Sequence, residues 1–170
     1  AGIDLLICDD GSYEAMDYVF PPYYLGDDCM VSAAEAVKPV VSIPVAACGN
    51  ITPSSGEEIL ARGAADMIGF TLQSELTFTN IVNALDLAGL PIRSADRDNA
   101  MPLIFAGGPA VFNPEPIAPF IDFFVIGDGE DAMMEIALAM RALKGATRRE
   151  KLEAMAKLEG VYVPELYPFE

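Results

Sequence analysis

The feature that most constrains the fold is a regular alternation of short apolar runs with helical patterns. Each apolar run has the continuous hydrophobic character of a strand that is covered on both faces. Strands that alternate with helices predict right-handed βαβ units and a parallel sheet. The predicted strands are Ile3 to Cys8, Ile43 to Cys48, Ala65 to Phe70, Pro102 to Ala106, and Phe123 to Ile126.

Helical patterns occupy most of the connections between these runs. In one of them, Ser54 or Ser55 can accept hydrogen bonds from the first turn, and Gly63 can end the helix. The predicted helices cover residues 32–41, 54–62, 76–88, 131–143 and 147–158. The connection 111–121 contains three prolines, which allow at most a broken helix because each removes a donor and crowds the preceding turn.

These elements together predict a fold class. Five βα units do not close an eight-stranded barrel, but they fit a doubly wound sheet. We therefore expect a single α/β domain over residues 1–170, with a five-stranded, parallel, flavodoxin-like sheet of strand order 2-1-3-4-5. The run Val161 to Pro164 predicts a short extended tail whose aromatic neighbours dock on this domain.

The residue types that the chain lacks exclude several kinds of site. Histidine is absent, which removes the usual general base near neutral pH and the commonest metal ligand. Ser-His-Asp, Cys-His and histidine-zinc sites are therefore excluded. Cys8, Cys29 and Cys48 have no C-x-x-C spacing, which favours reduced thiols in a cytoplasmic protein.

Charge and hydropathy constrain the partners. The chain carries 26 acidic and 10 basic residues, for a formal net charge of −16, and this charge would repel nucleic acid and anionic membranes. No apolar run reaches the roughly 18–20 residues that a membrane-spanning helix needs, and the first residues lack the basic start of a signal peptide. We expect a soluble protein with no specific partner.

The first part of the chain carries a series of family motifs. They are Gly2-Ile3-Asp4, Gly11-Ser12-Tyr13-Glu14, Phe20-Pro21-Pro22, Ser42-Ile43-Pro44-Val45, Gly49-Asn50-Ile51 and Gly63-Ala64-Ala65-Asp66. Residues 2–69 thereby resemble the late barrel strands of the old yellow enzyme family, the FMN-dependent TIM-barrel oxidoreductases. The resemblance implies that Gly49 helps to hold the FMN phosphate. Asn50 stands where that family usually has arginine, and Phe70-Thr71 replaces a second Gly-Arg pair, so this phosphate site is at best half present.

The second part of the chain carries a different series of family motifs. It comprises Gly69-Phe70-Thr71-Leu72-Gln73-Ser74-Glu75-Leu76, Leu85-Asp86-Leu87-Ala88-Gly89, Ala106-Gly107-Gly108-Pro109, Asn113-Pro114-Glu115-Pro116 and Ile126-Gly127-Asp128-Gly129-Glu130. Residues 66–167 thereby resemble the cobalamin-binding-like N-terminal domain of radical SAM proteins. The resemblance implies that Thr71-Leu72 and Gly107-Gly108 approximate the slot for the nucleotide tail of cobalamin. The cobalt-ligating histidine motif and the Cys-x3-Cys-x2-Cys pattern of the iron–sulfur cluster are both absent, which excludes radical SAM chemistry for this chain.

Both resemblances meet within the apolar run Asp66 to Phe70. We interpret this as an engineered chimera of a TIM-barrel fragment, residues 1–69, and a flavodoxin-like fragment, residues 70–170, built to test how the two folds are related. The natural alternative is a hybrid or divergent domain. The chimera hypothesis predicts a scaffold that is not an enzyme and holds no cofactor. The alternative function is a binding module that retains a partial FMN, phosphate or cobalamin site.

The candidate binding residues lie at predicted carboxyl ends of strands, where doubly wound sheets bind ligands. They are Gly49, Asn50, Thr71, Gly107, Gly108, Gly127 and Gly129. Backbone geometry alone can also require glycine at such turns.

Two further groups permit a ligand but also have simpler explanations. The acidic groups Asp9-Asp10, Asp27-Asp28 and Asp128 with Glu130 could hold Mg2+, although solvation and helix capping explain them, and we predict no metal site. The aromatic residues Tyr13, Phe20, Tyr23 and Tyr24 could cover a flavin, although packing over a strand edge is favoured.

Overall fold

A computed structural model describes residues 6–8, 31–43, 45–47 and 67–167 of the chain. The chain divides into two compact units, residues 1–66 and 67–170. The single domain over residues 1–170 stays a prediction. The predicted helix at 54–62 lies outside the described residues.

The described part of the first unit is a small βαβ arrangement. β1 (Leu6–Cys8) pairs in parallel with β2 (Val45–Ala47), and α1 (Val31–Val37) lies between them in the chain. Ala34 of α1 packs against Val45, and both are buried. The apolar face of the helix thus covers the strand pair, as the alternation of strand and helix predicts.

The second unit contains the larger sheet. Its elements in chain order are β3 (Met67–Thr71), α2 (Phe78–Leu87), β4 (Leu103–Gly107), β5 (Phe123–Val125), α3 (Gly129–Ala142), α4 (Arg148–Met155) and β6 (Val161–Tyr162). β3, β4 and β5 are neighbours and parallel, whereas β6 pairs antiparallel with β5. The strand and helix positions agree with the sequence patterns to within a few residues.

The predicted five-stranded parallel sheet of order 2-1-3-4-5 is wrong. Among the described residues, β1 and β2 form a sheet of two strands, and β3 to β6 form a mixed sheet of four. The predicted tail supplies the fourth strand, because Val161–Tyr162 satisfies backbone groups along the outer side of β5 that would otherwise form an open edge. A run of apolar residues indicates an extended segment but does not encode its direction relative to its neighbour.

Successive side chains along β4 and β5 pack alternately into two hydrophobic cores, one on each face of the sheet. Ile104, Ala106 and Phe124 pack against α2 on one face, while Leu103 and Phe123 pack with α3 and α4 on the other. The alternation follows from the two-residue period of a strand. Helices cover both faces, which explains why the runs that form β4 and β5 are continuously apolar.

Local signals set the ends of the later helices and the turns. Thr147 caps α4, because its hydroxyl accepts from the Glu150 N–H while the Glu150 side chain accepts from the Thr147 N–H, a reciprocal capping box. The proline-rich connection forms two short 3-10 turns, Pro109–Phe112 and Ala118–Phe120, so the prediction of a broken helix is confirmed. The helices within the described ranges lack the length and apolar character needed to cross a membrane.

Tyr162 on β6 is held at both ends of its side chain. Its ring stacks on Phe124 with the ring centroids 6.1 Å apart, and its hydroxyl donates to Glu115 Oε1 at 2.7 Å. Desolvation by burial, followed by the hydrogen bond and charge of Glu115, raises the pKa of Tyr162 to about 12. Ionisation of this phenol is therefore more costly in the folded chain than in the unfolded one.

This pKa predicts a loss of stability at alkaline pH. The folded state holds the Tyr162 proton more tightly, so its contribution is complete below the ordinary pKa of 10.0 and is lost as pH rises toward about 12. Tyr162→Phe should flatten this part of the curve of unfolding free energy against pH. Tyrosinate absorbance provides the check: the component that Tyr162→Phe removes should have its midpoint near 12, and a midpoint at 10.0 would contradict the burial argument.

Candidate functional site

The carboxyl ends of β3 and β4 place two predicted binding residues side by side. Thr71 is opposite Gly107 in the parallel register, and Thr71 is exposed. The Leu72 N–H donates to the Gly107 carbonyl at 2.7 Å, which extends the ladder one step beyond the strand. In doubly wound proteins, ligands bind at this edge of the sheet, so its lining is a candidate site.

Gly108 is required by the fold itself. Its φ of +101° lies in the region that side chains disfavour, and an added Cβ would lie 2.9 Å from the Leu72 carbonyl oxygen. The chain turns back there, so that the Ala110 N–H donates to the Leu72 carbonyl at 2.9 Å. The close approach of two backbone segments therefore explains this glycine without a ligand.

Gly107 is different, because the fold does not require it. An added Cβ would meet its nearest neighbour, the Val125 carbonyl oxygen, at 3.8 Å, and its φ is not in the positive region. A Cβ at this position would lie in ordinary contact with Val125 at the end of β5, and Gly107 is half-buried. Glycine within a strand is also found where a ligand approaches the backbone closely, so Gly107 stays a candidate contact.

The turn after β5 adds two more of the predicted residues to the same edge. Gly127 has a φ of +101°, and Gly129 is the first residue of α3. An added Cβ would meet nothing within 4 Å at either position. The structure therefore brings Thr71, Gly107, Gly108, Gly127 and Gly129 to the carboxyl edge of the parallel strands, and their role in binding stays a prediction.

Charge at the start of α3 disfavours phosphate there. A helix N-terminus attracts anions through its free N–H groups, but Asp128 is the N-cap residue of α3, and Asp131 follows in its first turn. Two carboxylates already provide the negative charge that this end of a helix favours. We expect a ligand phosphate to be repelled from Gly127–Gly129 and to find less repulsion at Thr71 and Gly107.

Other predicted binding residues lie outside the described residues. These are Gly49, Asn50, the acidic pairs Asp9-Asp10 and Asp27-Asp28, and the aromatic residues Tyr13, Phe20, Tyr23 and Tyr24. Within the described ranges, no group of three or more acidic or cysteine side chains is arranged to hold a metal ion.

A buried charge cluster lies at the opposite, amino edge of the sheet. Asp122, directly before β5, accepts hydrogen bonds from the Ser94 hydroxyl and from the Ile104 N–H, the latter at 2.6 Å. Arg97 Nη1 lies 3.3 Å from Asp122 Oδ2, and Arg148 Nη2 pairs with the same oxygen. The sequence analysis missed this cluster, although an acid inside the apolar run 121–125 was a signal for it.

The contacts of the cluster point to a structural role. Arg97 Nη2 donates to the Ile92 and Phe120 carbonyls, both at 2.8 Å. Arg148 Nη1 donates to the Pro102 carbonyl at 3.1 Å. Desolvation by burial lowers the pKa of the Arg97 guanidinium, while Asp122 acts in the opposite direction and Arg148 lowers it further. The two guanidinium groups thus hold the chain segments at Ile92, Pro102 and Phe120 next to one carboxylate. These charged groups are too buried to contact a large ligand.

The second unit is thus an α/β unit with several glycines at the carboxyl ends of its parallel strands. The family described as "Radical SAM proteins, N-terminal" matches residues 49–164, which is about two thirds of the chain. The chain belongs to this family. Searches of curated proteins and of solved structures gave no match.

The family assignment confirms one resemblance and leaves the other without support. It covers the region 66–167 that resembles the radical SAM N-terminal domain, almost to its end. It also begins at residue 49, inside the region likened to the old yellow enzyme family. Neither that likeness nor a chimeric origin receives support from the comparisons.

Proposed function

We propose that the second unit is a ligand-binding module and not a catalyst. The observation that carries the proposal is Gly107, a glycine that the fold does not require and that stands opposite Thr71 at the carboxyl edge. Thr71 offers a hydroxyl, and the neighbouring backbone offers donors and acceptors. The edge as described contains no histidine or cysteine, so it suits recognition better than acid–base or nucleophilic chemistry.

The ligand class that the family likeness suggests is cobalamin, with FMN as the alternative. Thr71, Leu72, Gly107 and Gly108 are the residues that would hold the nucleotide tail. Cobalamin would supply a redox-active cobalt centre, which this chain cannot ligate through histidine because it has none. The part of the predicted FMN site at Gly49 and Asn50 lies outside the described residues. The nucleotide tail of cobalamin carries a phosphate as FMN does, so the acidic start of α3 does not separate the two ligands. The support for cobalamin is the family assignment, which covers the ends of β3 and β4.

The first test is cofactor retention by the full chain. The purified protein is incubated with hydroxocobalamin or FMN and desalted, and its absorbance spectrum is recorded. A retained corrin band supports the proposal. A spectrum without any band above the tyrosine absorbance, from a cooperatively folded protein, would reject it, and a flavin band alone would assign the site to FMN instead.

Gly107→Ala tests where the ligand lies. The added methyl group should weaken cobalamin binding about tenfold or more, since overpacking by one methylene costs about 1–3 kcal/mol and tenfold is about 1.4 kcal/mol. Gly129→Ala is the matched control, because it adds the same group on the same edge, where nothing lies within 4 Å. Titration of the corrin absorbance measures both affinities. Equal weakening by the two variants would contradict a ligand position over β3 and β4.

A second candidate function is an inactive scaffold made of two joined fragments. The observation that favours it is the division of the chain between Asp66 and Met67, inside the run where the two resemblances meet. This hypothesis predicts a colourless protein that retains neither cofactor. It also predicts that the two units tolerate separation, so that residues 67–170 expressed alone should give the amide spectrum that they give in the full chain. Loss of that spectrum would count against the scaffold hypothesis.

A further inference from the structure

A cavity on the second unit lies away from the carboxyl edge. It has a volume of about 290 Å³ and is bordered by the turn before β5, by β6 and by the 3-10 turn Pro164–Leu166. Ligand sites for small molecules begin at about 300 Å³, so the cavity suits a small ligand. It belongs to the amino half of the sheet, since Ala118 and Ile121 in its wall precede β5.

Two tyrosines form an aromatic wall of this cavity. The rings of Tyr162 and Tyr167 have centroids 5.8 Å apart and are tilted by 36°. Tyr162 is fixed by Phe124 behind it and by Glu115, whereas Tyr167 is 58% exposed. Alanine, proline and isoleucine side chains and Ser94 add to the lining. The interior of the cavity is therefore mostly apolar, with aromatic faces that attract cations.

The charged groups of the lining are of both signs. Glu165 already pairs with Arg149 at 2.9 Å. Glu115, in contrast, has no cationic partner among the described residues, and its one hydrogen bond there comes from Tyr162. Arg93 has no acidic partner among them either, and its guanidinium lies over the Phe120 ring at 6.0 Å. One carboxylate and one guanidinium thus remain available to a ligand.

We propose that this cavity binds a small zwitterion the size of a free amino acid, with its ammonium group at Glu115 and its carboxylate at Arg93. The apolar body of the ligand lies against Tyr162 and Tyr167. A ligand with one charge would leave either the carboxylate or the guanidinium of the cavity without a partner. Both groups are exposed, so solvent and salt screen them and the affinity is modest.

The test compares three probes that share one apolar body. Leucine is the zwitterion, isoamylamine lacks its carboxylate, and isocaproate lacks its ammonium group. Binding to the full chain is followed by NMR of carbon-13-labelled tyrosine rings, with the Tyr162 and Tyr167 signals assigned from their phenylalanine variants. Leucine should shift both signals and bind about two- to fivefold more tightly than either single-charge probe, the effect of one solvent-exposed ion pair.

Two variants test which side chain of the cavity binds each charged group of the ligand. Glu115→Gln should reduce the affinity for leucine to that for isocaproate, and Arg93→Gln should reduce it to that for isoamylamine. Glu135→Gln is the matched control, since Glu135 is an exposed residue of α3 on the opposite face of the sheet, and it should change nothing. Absence of leucine binding, equal binding of all three probes, or an unchanged affinity in Glu115→Gln would overturn the proposal.

Discussion

Asp122→Ala is expected to lower the free energy of unfolding by about 3–5 kcal/mol, the usual cost of removing one partner from a buried ion pair. Asp122 is 1% exposed, and Arg97 and Arg148 are 5% and 8% exposed. Without the carboxylate, two guanidinium groups remain buried together with no counter-charge between them. The Ile104 N–H and the Ser94 hydroxyl lose their acceptor as well. Urea denaturation measures the change.

A local reporter keeps this prediction testable even if the variant is only marginally folded. Amide hydrogen exchange at Ile104 should accelerate, because its N–H donates to Asp122 Oδ2. Ser94→Ala removes one donor to the carboxylate and should cost about 1 kcal/mol. Glu135→Ala is the control at an exposed position in the middle of α3 and should change stability by less than about 0.5 kcal/mol. A comparable loss in Glu135→Ala, or none in Asp122→Ala, would contradict the structural role of the cluster.

Gly108→Ala is expected to destabilise the protein by about 2–4 kcal/mol, since backbone strain and overpacking each cost about 1–3 kcal/mol. The φ of +101° is unfavourable for alanine, and its Cβ would lie 2.9 Å from the Leu72 carbonyl oxygen. The Leu72 carbonyl belongs to the backbone, so it cannot move away from the added methyl group as a flexible side chain could. The turn must therefore shift, and the hydrogen bond from Ala110 to Leu72 should weaken.

Gly107→Ala provides the comparison at the neighbouring residue. Its Cβ would meet only an ordinary contact at 3.8 Å, and alanine in a strand is favoured over glycine by roughly 0.5–1 kcal/mol. We expect stability to be unchanged or slightly increased. Thermal or urea unfolding of the two variants measures the difference. If Gly107→Ala proved as destabilising as Gly108→Ala, Gly107 would be a glycine that the fold requires.

Comparison of Gly107→Ala with Gly108→Ala separates an effect on stability from an effect on ligand binding. Gly107→Ala should weaken the proposed cobalamin binding while it leaves the fold intact, whereas Gly108→Ala should weaken both. Loss of binding in a destabilised variant could come from partial unfolding and not from a lost contact with the ligand. Gly107→Ala avoids this problem, because the turn requires only Gly108 to be glycine.

Element positions could be predicted well because their causes are local. The apolar runs that form β4 and β5 are short and continuous, and the patterns that form α2 and α3 repeat at the helical period. The prolines of 111–121 act through their own rings and missing donors, so the broken helix there was predictable. The role of Val161–Tyr162 as the fourth strand was not predictable. A two-residue strand pairs because the edge of β5 is free, and not because of its own strand propensity.

The candidate site was predictable in part. The carboxyl ends of parallel strands meet at one edge, so Thr71 and Gly107 could be placed together from strand order alone. Nothing in the sequence distinguished Gly107 from Gly108, because the difference depends on how closely Leu72 approaches each of them. The cavity beside Tyr162 was also missed, because Arg93, Glu115 and Tyr167 come from separate segments.

The sequence by itself determined where the described strands and helices form, since their positions depend on local periodicity, and its lack of histidine excludes histidine-dependent sites in this chain. It also carried enough family motifs to identify the radical SAM N-terminal region. The tertiary structure alone decided the mixed sheet, the antiparallel tail and the burial of Asp122 between two arginines. Those features arise from contacts such as that between Arg97 and Asp122, 25 residues apart in the chain, and such contacts are selected by packing and by the satisfaction of buried polar groups.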